Sequence, residues 1–256
     1  MATFTPPIDV LTASLQWSVF YSGVFFASRL LAPLAFTHCA KLDSTNLSYW
    51  AESVVSTANA IVLTPMAIKA SLELALFDLS TPFTVSSPLT VFACAAMIGY
   101  TIWDLFTIIY YRKEWGGFEM YIVHHFGSIS AWGLCAVTGY AHVIAVPALL
   151  MEVTGPFVNG RYFLSTAGLK DTTLYTVNGV MMFLTFLIFR VVFNWWLYLS
   201  RFWWQFSLMW QCPVALVICF NLLYPVNLTL QMIWFSKITK GIIAVLKGKG
   251  ESKKET

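Results

Sequence analysis

Seven long apolar stretches decide most of what this chain can become. They cover roughly residues 11–35, 50–76, 89–111, 118–138, 141–160, 173–200 and 207–235. Each is close to the ~20 residues that an α-helix needs to cross a bilayer core, and far longer than the ~10-residue strands of a membrane barrel. A bilayer core offers no water to satisfy backbone N–H and C=O groups, so an exposed span must satisfy its own as a helix. The expected fold is all-α: a polytopic membrane protein with about seven transmembrane helices. Only 11% of the 256 residues are charged, against ~25% in soluble domains, which leaves little chain for a soluble domain.

Several classes drop out early. No basic stretch precedes the first apolar run, so a cleaved signal peptide is not expected. Cys39, Cys94, Cys135, Cys212 and Cys219 are scattered, with no C-x-x-C spacing, so neither a zinc site nor a disulfide framework is expected. Trp195-Trp196 and Trp203-Trp204 read as anchors at the membrane–water interface rather than as a nucleobase-stacking surface, and no nucleic-acid partner is expected. No internal repeat is evident.

The Lys and Arg residues set the orientation. With seven spans the two termini lie on opposite sides. Lys41, Arg112, Lys113, Arg161, Lys170, Lys237 and Lys240 gather on one side with the rest of the lysine-rich tail, while Arg201 stands nearly alone on the other. The positive-inside rule then predicts a cytosolic C-terminus and a lumenal or external N-terminus. Arg29 can snorkel at the end of the first span, and Lys69 can pair with Glu73 one turn away. The last residues, Lys253-Lys254-Glu-Thr, match the dilysine signal by which coat machinery retrieves membrane proteins to the endoplasmic reticulum. A tail binding anionic lipids is the alternative. On this topology the sequons at Asn46 and Asn227 stay unmodified.

Ionisable groups inside apolar spans cost roughly 2.5–3.5 kcal/mol each on insertion scales, which makes them candidates for function. The densest stretch is Tyr121-Ile-Val-His-His-Phe-Gly-Ser128. Adjacent helical residues point about 100° apart, so His124 and His125 cannot easily chelate one metal together, and no H-x-x-x-H or E-x-x-H pattern supplies further ligands. No metal is expected. Proton transfer suits the pair better, with one imidazole as general base and its neighbour oriented by a carboxylate. Asp104 on the preceding span and Glu152 downstream are the in-membrane acids. The competing reading is that all four groups merely tie helices together. Pro147 and Pro156 flank Glu152 and point either to a helix broken around a polar pocket or to an ordinary kinked span. Asn159 follows Glu152 by seven residues and would share its face on an unbroken helix. Arg161 comes next, near the cytosolic mouth, where it could meet a lipid or nucleotide phosphate or serve as an interfacial anchor. Arg190 lies deep in the sixth span and should pair with a carboxylate. Ser128 and Ser130 could line the same cavity.

With these residues in hand, the chain resembles the TLC (TRAM–Lag–CLN) domain family over about residues 45–249. The resemblance is carried by the His124-His125 pair in a mid-chain span, the polar span before it and the acidic motif after it. It implies a six-helix bundle around a central cavity that admits acyl chains. Ceramide synthases of that family follow the His-His with a later His-Asp and a further Asp. Here Met151 stands in place of that His, Glu152 in place of its Asp and Gly155 in place of the last Asp. The run from Glu152 to Arg161 is similar instead to the subgroup called TLC domain-containing protein 4. The resulting division is 1–44 for the N-terminal end and first helix, 45–249 for the TLC domain and 250–256 for the cytosolic tail.

The resemblance and the His-His/Glu constellation together imply lipid homeostasis in the endoplasmic reticulum. The expected chemistry is histidine-dependent acyl transfer from acyl-CoA, as co-substrate, to a lipid amine or hydroxyl. His124, His125 and Glu152 are the expected catalytic residues, with Glu152 orienting the base; Asp104, Ser128, Asn159 and Arg161 are the expected substrate-binding residues. Two alternatives stand beside it: a lipid-binding or lipid-regulating protein without catalysis, and a transporter or seven-helix receptor.

Overall fold

The computed structural model describes residues 5–75 and 82–252, all helix and connection. Lys253 and Lys254 of the dilysine signal lie outside the described residues. The long helices are α1 (Val10–Ala35), α2 (Ser44–Ala75), α3 (Pro88–Tyr110) and α4 (Phe118–Thr138). A broken span follows: α5 (His142–Ala148), a 3-10 stretch (Leu149–Thr154) and α6 (Gly155–Thr166). Next come α7 (Thr173–Thr185) and the short α8 (Asn194–Leu197) and α9 (Phe206–Met209), separated by π-helical turns at Phe186–Phe193 and Tyr198–Trp203. The last helix is α10 (Val214–Ser252).

Local chemistry explains the boundaries. Asp9 caps α1 by accepting from the Thr12 N–H and hydroxyl, and Ser87 and Thr90 form a reciprocal capping box ahead of Pro88, the usual way of satisfying orphan helix donors. Gly117 and Gly139 flank α4 with φ of +80° and +73°, a conformation glycine adopts without steric cost. Pro156 falls in the first turn of α6, where its missing N–H costs nothing. The fifth span is therefore broken at Glu152, not merely kinked.

α3 is the central post. Val91 and Ala93 to Ala96 are wholly buried, and this run of small residues lets neighbouring helices approach closely. α1 packs at Gly99, where Ser18 Oγ donates to the Gly99 carbonyl at 2.7 Å. A Cβ at Gly99 would collide with the Ser14 carbonyl and Trp17 Cβ. The outer face of α1 is the reverse, with Leu11, Val19, Leu30 and Leu34 exposed, as a lipid-facing surface requires.

Among the described residues, six helices are long and apolar enough to cross a membrane: Val10–Ala35, Ser44–Ala75, Pro88–Tyr110, His142–Thr166, Thr173–Arg201 and Val214–Ile243. The expected fourth span, over 118–138, is not among them, because Glu119, two histidines, serines and glycines dilute its apolar character. α4 nevertheless runs the length of the bundle. Its 21 residues reach about 31 Å, and the Ala141 N–H just beyond it donates to the Phe83 carbonyl at 2.8 Å. The far end of α4 thus meets the start of α3, and the two helices are antiparallel neighbours. The seventh stretch also differs from expectation: α10 begins only at Val214, after a break at residues 210–213.

The start of α2, the α3–α4 connection and the end of α6 share one end of the bundle. Tyr49 packs edge-on against both Trp115 and Tyr162, and Tyr162 Oη donates to the Asn46 carbonyl at 3.2 Å. Arg29 reaches Ser44 and Tyr111 at this end. Lys41, Arg112, Lys113 and Lys170 sit in its connections, so this is the basic end.

Candidate functional site

A cavity of about 650 Å³ opens at the basic end. α2, α3, α4, α6, α10 and the π-helical turn carrying Arg190 all contribute to its wall, and its size suits a drug-sized or larger ligand. Two polar clusters lie in it at different depths.

The upper cluster holds the histidines. His125 is seven residues into α4, about 10 Å along the helix. Its Nδ1 lies 2.6 Å from the Tyr121 carbonyl oxygen. A carbonyl only accepts, so Nδ1 carries a proton and donates it. Its Nε2 lies 2.6 Å from Asp104 Oδ2, within hydrogen-bond distance. Tyr100 Oη donates to the same carboxylate oxygen at 3.3 Å. Glu52 approaches Asp104 from α2 and accepts from Trp103 Nε1 at 3.2 Å. Both nitrogens of His125 are therefore committed to the protein. His124 differs. It lines the cavity and sets its ring edge-on against Trp234 and against His125, each 5.4 Å away. Asn227 of α10 lies beside the ring, and among the described residues the ring's nitrogens are not both engaged as those of His125 are. His124 and Ser128 also line a second pocket of about 60 Å³ between α4, α5 and α10.

The lower cluster is built around Glu152. Its Oε2 accepts from Asn59 Nδ2 at 2.9 Å and its Oε1 from an Arg190 terminal nitrogen at 3.3 Å. Arg190 Nε donates to Thr154 Oγ1 at 2.6 Å and to the Met151 carbonyl at 3.2 Å. Asn59 Oδ1 accepts from the Tyr21 hydroxyl at 3.0 Å. Arg190 lies 17 residues into its span and Asn59 lies 15 into α2, about 22–25 Å from the basic end. A π-helical turn at a cavity wall is a frequent mark of a functional position.

Several expectations change. Glu152 does not orient a histidine: it is held by Asn59 and Arg190, and Asp104 is the acid on His125. Arg161 is absent from the cavity lining; its guanidinium stacks over the Tyr175 ring at 4.6 Å. Lys237 of α10 is the basic side chain lining the mouth. Asn159 lines the cavity and donates to Thr57 at 3.1 Å. Ser128 is buried and donates to the His124 carbonyl at 2.9 Å. Lys69 and Glu73 form no ion pair; the pairs among the described residues are His125–Asp104 and Arg190–Glu152. Arg190 does pair with a carboxylate. The sequence reading passed over Glu52, Asn59 and Tyr21. Among the described residues no three His, Cys, Asp or Glu side chains are grouped to hold a metal ion.

The family model of the TLC domain matches residues 49–240. Human TLC domain-containing protein 4 is 29% identical over 206 residues, covering 77% of this chain and 75% of its own length. TLC domain-containing protein 4-B of Danio rerio is 24% identical over 84% of this chain and 81% of its own. Protein 4 A of Dictyostelium discoideum is 23% identical over 70% of each. No solved structure matches.

Proposed function

The chain belongs to the TLC domain family, and from that premise we propose that it serves membrane lipid homeostasis in the endoplasmic reticulum as a histidine-dependent acyltransferase. Its acceptor is a lipid amine or hydroxyl and its donor is acyl-CoA. The basic end faces the cytosol, as the lysine and arginine distribution favours. Acyl-CoA enters at the mouth, where Lys237 can meet its phosphates. The dilysine tail at Lys253 and Lys254 returns the protein to the endoplasmic reticulum through coat machinery.

The observation that carries this reading is the unequal state of the two adjacent histidines. His125 is immobilised through both ring nitrogens by Tyr121 and Asp104. His124 lines the cavity, and among the described residues its ring is not held through both nitrogens. His124 is then the general base and His125 its brace. The acceptor's O–H or N–H proton passes to His124 as the new C–O or C–N bond forms at the thioester carbonyl. The C–S bond breaks, and the same proton leaves with the coenzyme A thiolate. Such a base contributes about 10²–10⁴-fold to a rate.

A second reading, lipid binding without transfer, is favoured by the lower cluster. Met151 occupies the place of a histidine in the ceramide synthases that the sequence resembles, and Glu152 is engaged with Arg190. Lipidomics separates the two, comparing cells that express wild type with cells that express His124→Ala/His125→Ala at matched protein level. A lipid species that accumulates only with wild type is the expected result. Equal profiles from the two proteins, both different from empty cells, would leave binding or regulation as the function.

A further inference from the structure

We propose that the Arg190–Glu152 pair is a binding site for a zwitterionic headgroup, an oxyanion joined to a primary ammonium by a short linker. This rests on the reading of the cavity as a lipid site, but not on any transfer reaction.

The first support is an incomplete set of hydrogen bonds. A guanidinium has five N–H donors. Arg190 directs Nε–H at Thr154 and the Met151 carbonyl, and one terminal N–H at Glu152. Among the described residues the other three find no acceptor, and Arg190 lines the open cavity. The contact with Glu152 is a single long one, 3.3 Å, and not the two-pronged contact that an arginine fork favours with a carboxylate. The guanidinium rests on the Phe186 ring, 5.6 Å from its centre, which fixes its plane while leaving its edge free for an oxyanion.

The second support is charge balance at depth. Arg190 and Glu152 cancel. A lone anion arriving there would leave net charge in a low-dielectric wall, which is costly. A zwitterion adds none. Its oxyanion takes the vacant Arg190 donors, its ammonium takes Glu152, and one ion pair becomes two. Glu152 is ready for that exchange because it does not depend on Arg190 for its position. Asn59 holds the other carboxylate oxygen, and the Tyr21 hydroxyl fixes which end of the Asn59 amide faces Glu152. The donor of that hydroxyl is α1, which lies outside the matched domain.

The test uses the purified full chain in nanodiscs and reads bound lipid by native mass spectrometry. The probes are phosphatidylethanolamine, anionic phosphatidylglycerol and soluble phosphoethanolamine. Wild type should retain phosphatidylethanolamine over phosphatidylglycerol by about tenfold, an affinity gap on the scale of one charge contact. Glu152→Gln keeps the Asn59 hydrogen bond and leaves Arg190 uncompensated, so the order should reverse towards phosphatidylglycerol. Arg190→Lys should keep the wild-type order more weakly, and Arg190→Gln should abolish it. A helix-packing role for the pair predicts no reversal. Competition by soluble phosphoethanolamine shows that the headgroup alone suffices; binding without that competition assigns the site to the intact lipid. Both outcomes support the site. The same lipid order in wild type and Glu152→Gln overturns it while leaving the lipid cavity intact. If wild type retains no acyl lipid of any kind, the lipid reading of the cavity falls with it.

Discussion

The two polar clusters of the cavity are built from the same kinds of residue and behave as opposites. Each sets a carboxylate on a neighbouring helix against a cation or potential cation. Both carboxylate side chains are 13% exposed, so burial does not separate them. Geometry does. His125 and Asp104 stand 2.6 Å apart with every ring nitrogen engaged, whereas Arg190 and Glu152 stand 3.3 Å apart with donors to spare. A closed cluster braces its surroundings, and an open one can exchange partners with a ligand. On the proposed reading the upper cluster braces His124, and the lower one selects among ligands.

The sharpest way to break this distinction is to remove one member from each cluster. Asp104→Ala strands His125 Nε2 in a buried wall and deprives Tyr100 and Glu52 of their neighbour. Breaking a buried pair in this way costs about 3–5 kcal/mol, to be read as a lowered thermal midpoint in detergent. Arg190→Gln should cost less, about 1–3 kcal/mol, because Asn59 still satisfies Glu152. Equal losses would mean that the lower cluster is as structural as the upper one.

A smaller effect sharpens the account of the lower cluster. Tyr21→Phe removes only the hydroxyl that donates to Asn59 Oδ1, at an expected cost of about 0.5–1.5 kcal/mol. The same substitution in a Glu152→Gln background should cost measurably less if Tyr21 acts through Asn59 on Glu152, since linked residues are non-additive. Full additivity would cut α1 out of the site and leave Tyr21 as packing alone.

How much of this could be read beforehand follows from what periodicity and hydropathy can see. His124, His125, Asp104, Glu152 and Arg190 stood out because each interrupts an apolar run. The break at Glu152 followed from Pro147 and Pro156. Which acid meets which base depends on the relative heights of antiparallel helices, and naming Glu152 as the orienting acid passed over heights that the spans 89–111 and 118–138 already implied. Asp104 lies six residues before the end of α3 and His125 seven after the start of α4, which puts them level; Glu152 lies far below. Glu52 was hidden by a boundary. A span starting at residue 50 leaves it at the water edge, but α2 starts at Ser44 and carries it inside. Asn59 and Tyr21 are neutral, and only packing selects them from the many polar residues of membrane helices. Arg161 was misplaced because α6 restarts at Gly155 and turns that side chain onto Tyr175.

Asp43, at the rim, offers the weakest and most local contrast, an acid with neither burial nor a charged partner. It caps the start of α2. Its Oδ1 accepts the Asn46 backbone N–H at 2.8 Å and its Oδ2 the Asn46 side-chain amide at 2.7 Å. The backbone bond first, and the side-chain bond second, hold its carboxyl below the ordinary carboxylate value of 3.8. A lowered folded value means that the cap's contribution is complete above the unfolded value and is lost as pH falls through the lower folded one. The first turn of α2 should therefore keep its protection from hydrogen exchange at pH 5 and give it up only below about pH 4. Asp43→Asn, which retains an acceptor without a titrating group, should flatten that dependence. Loss of protection already near pH 6 would instead tie the rim to the histidines below it, and the separation between a fixed upper cluster and an independent mouth would have to be abandoned.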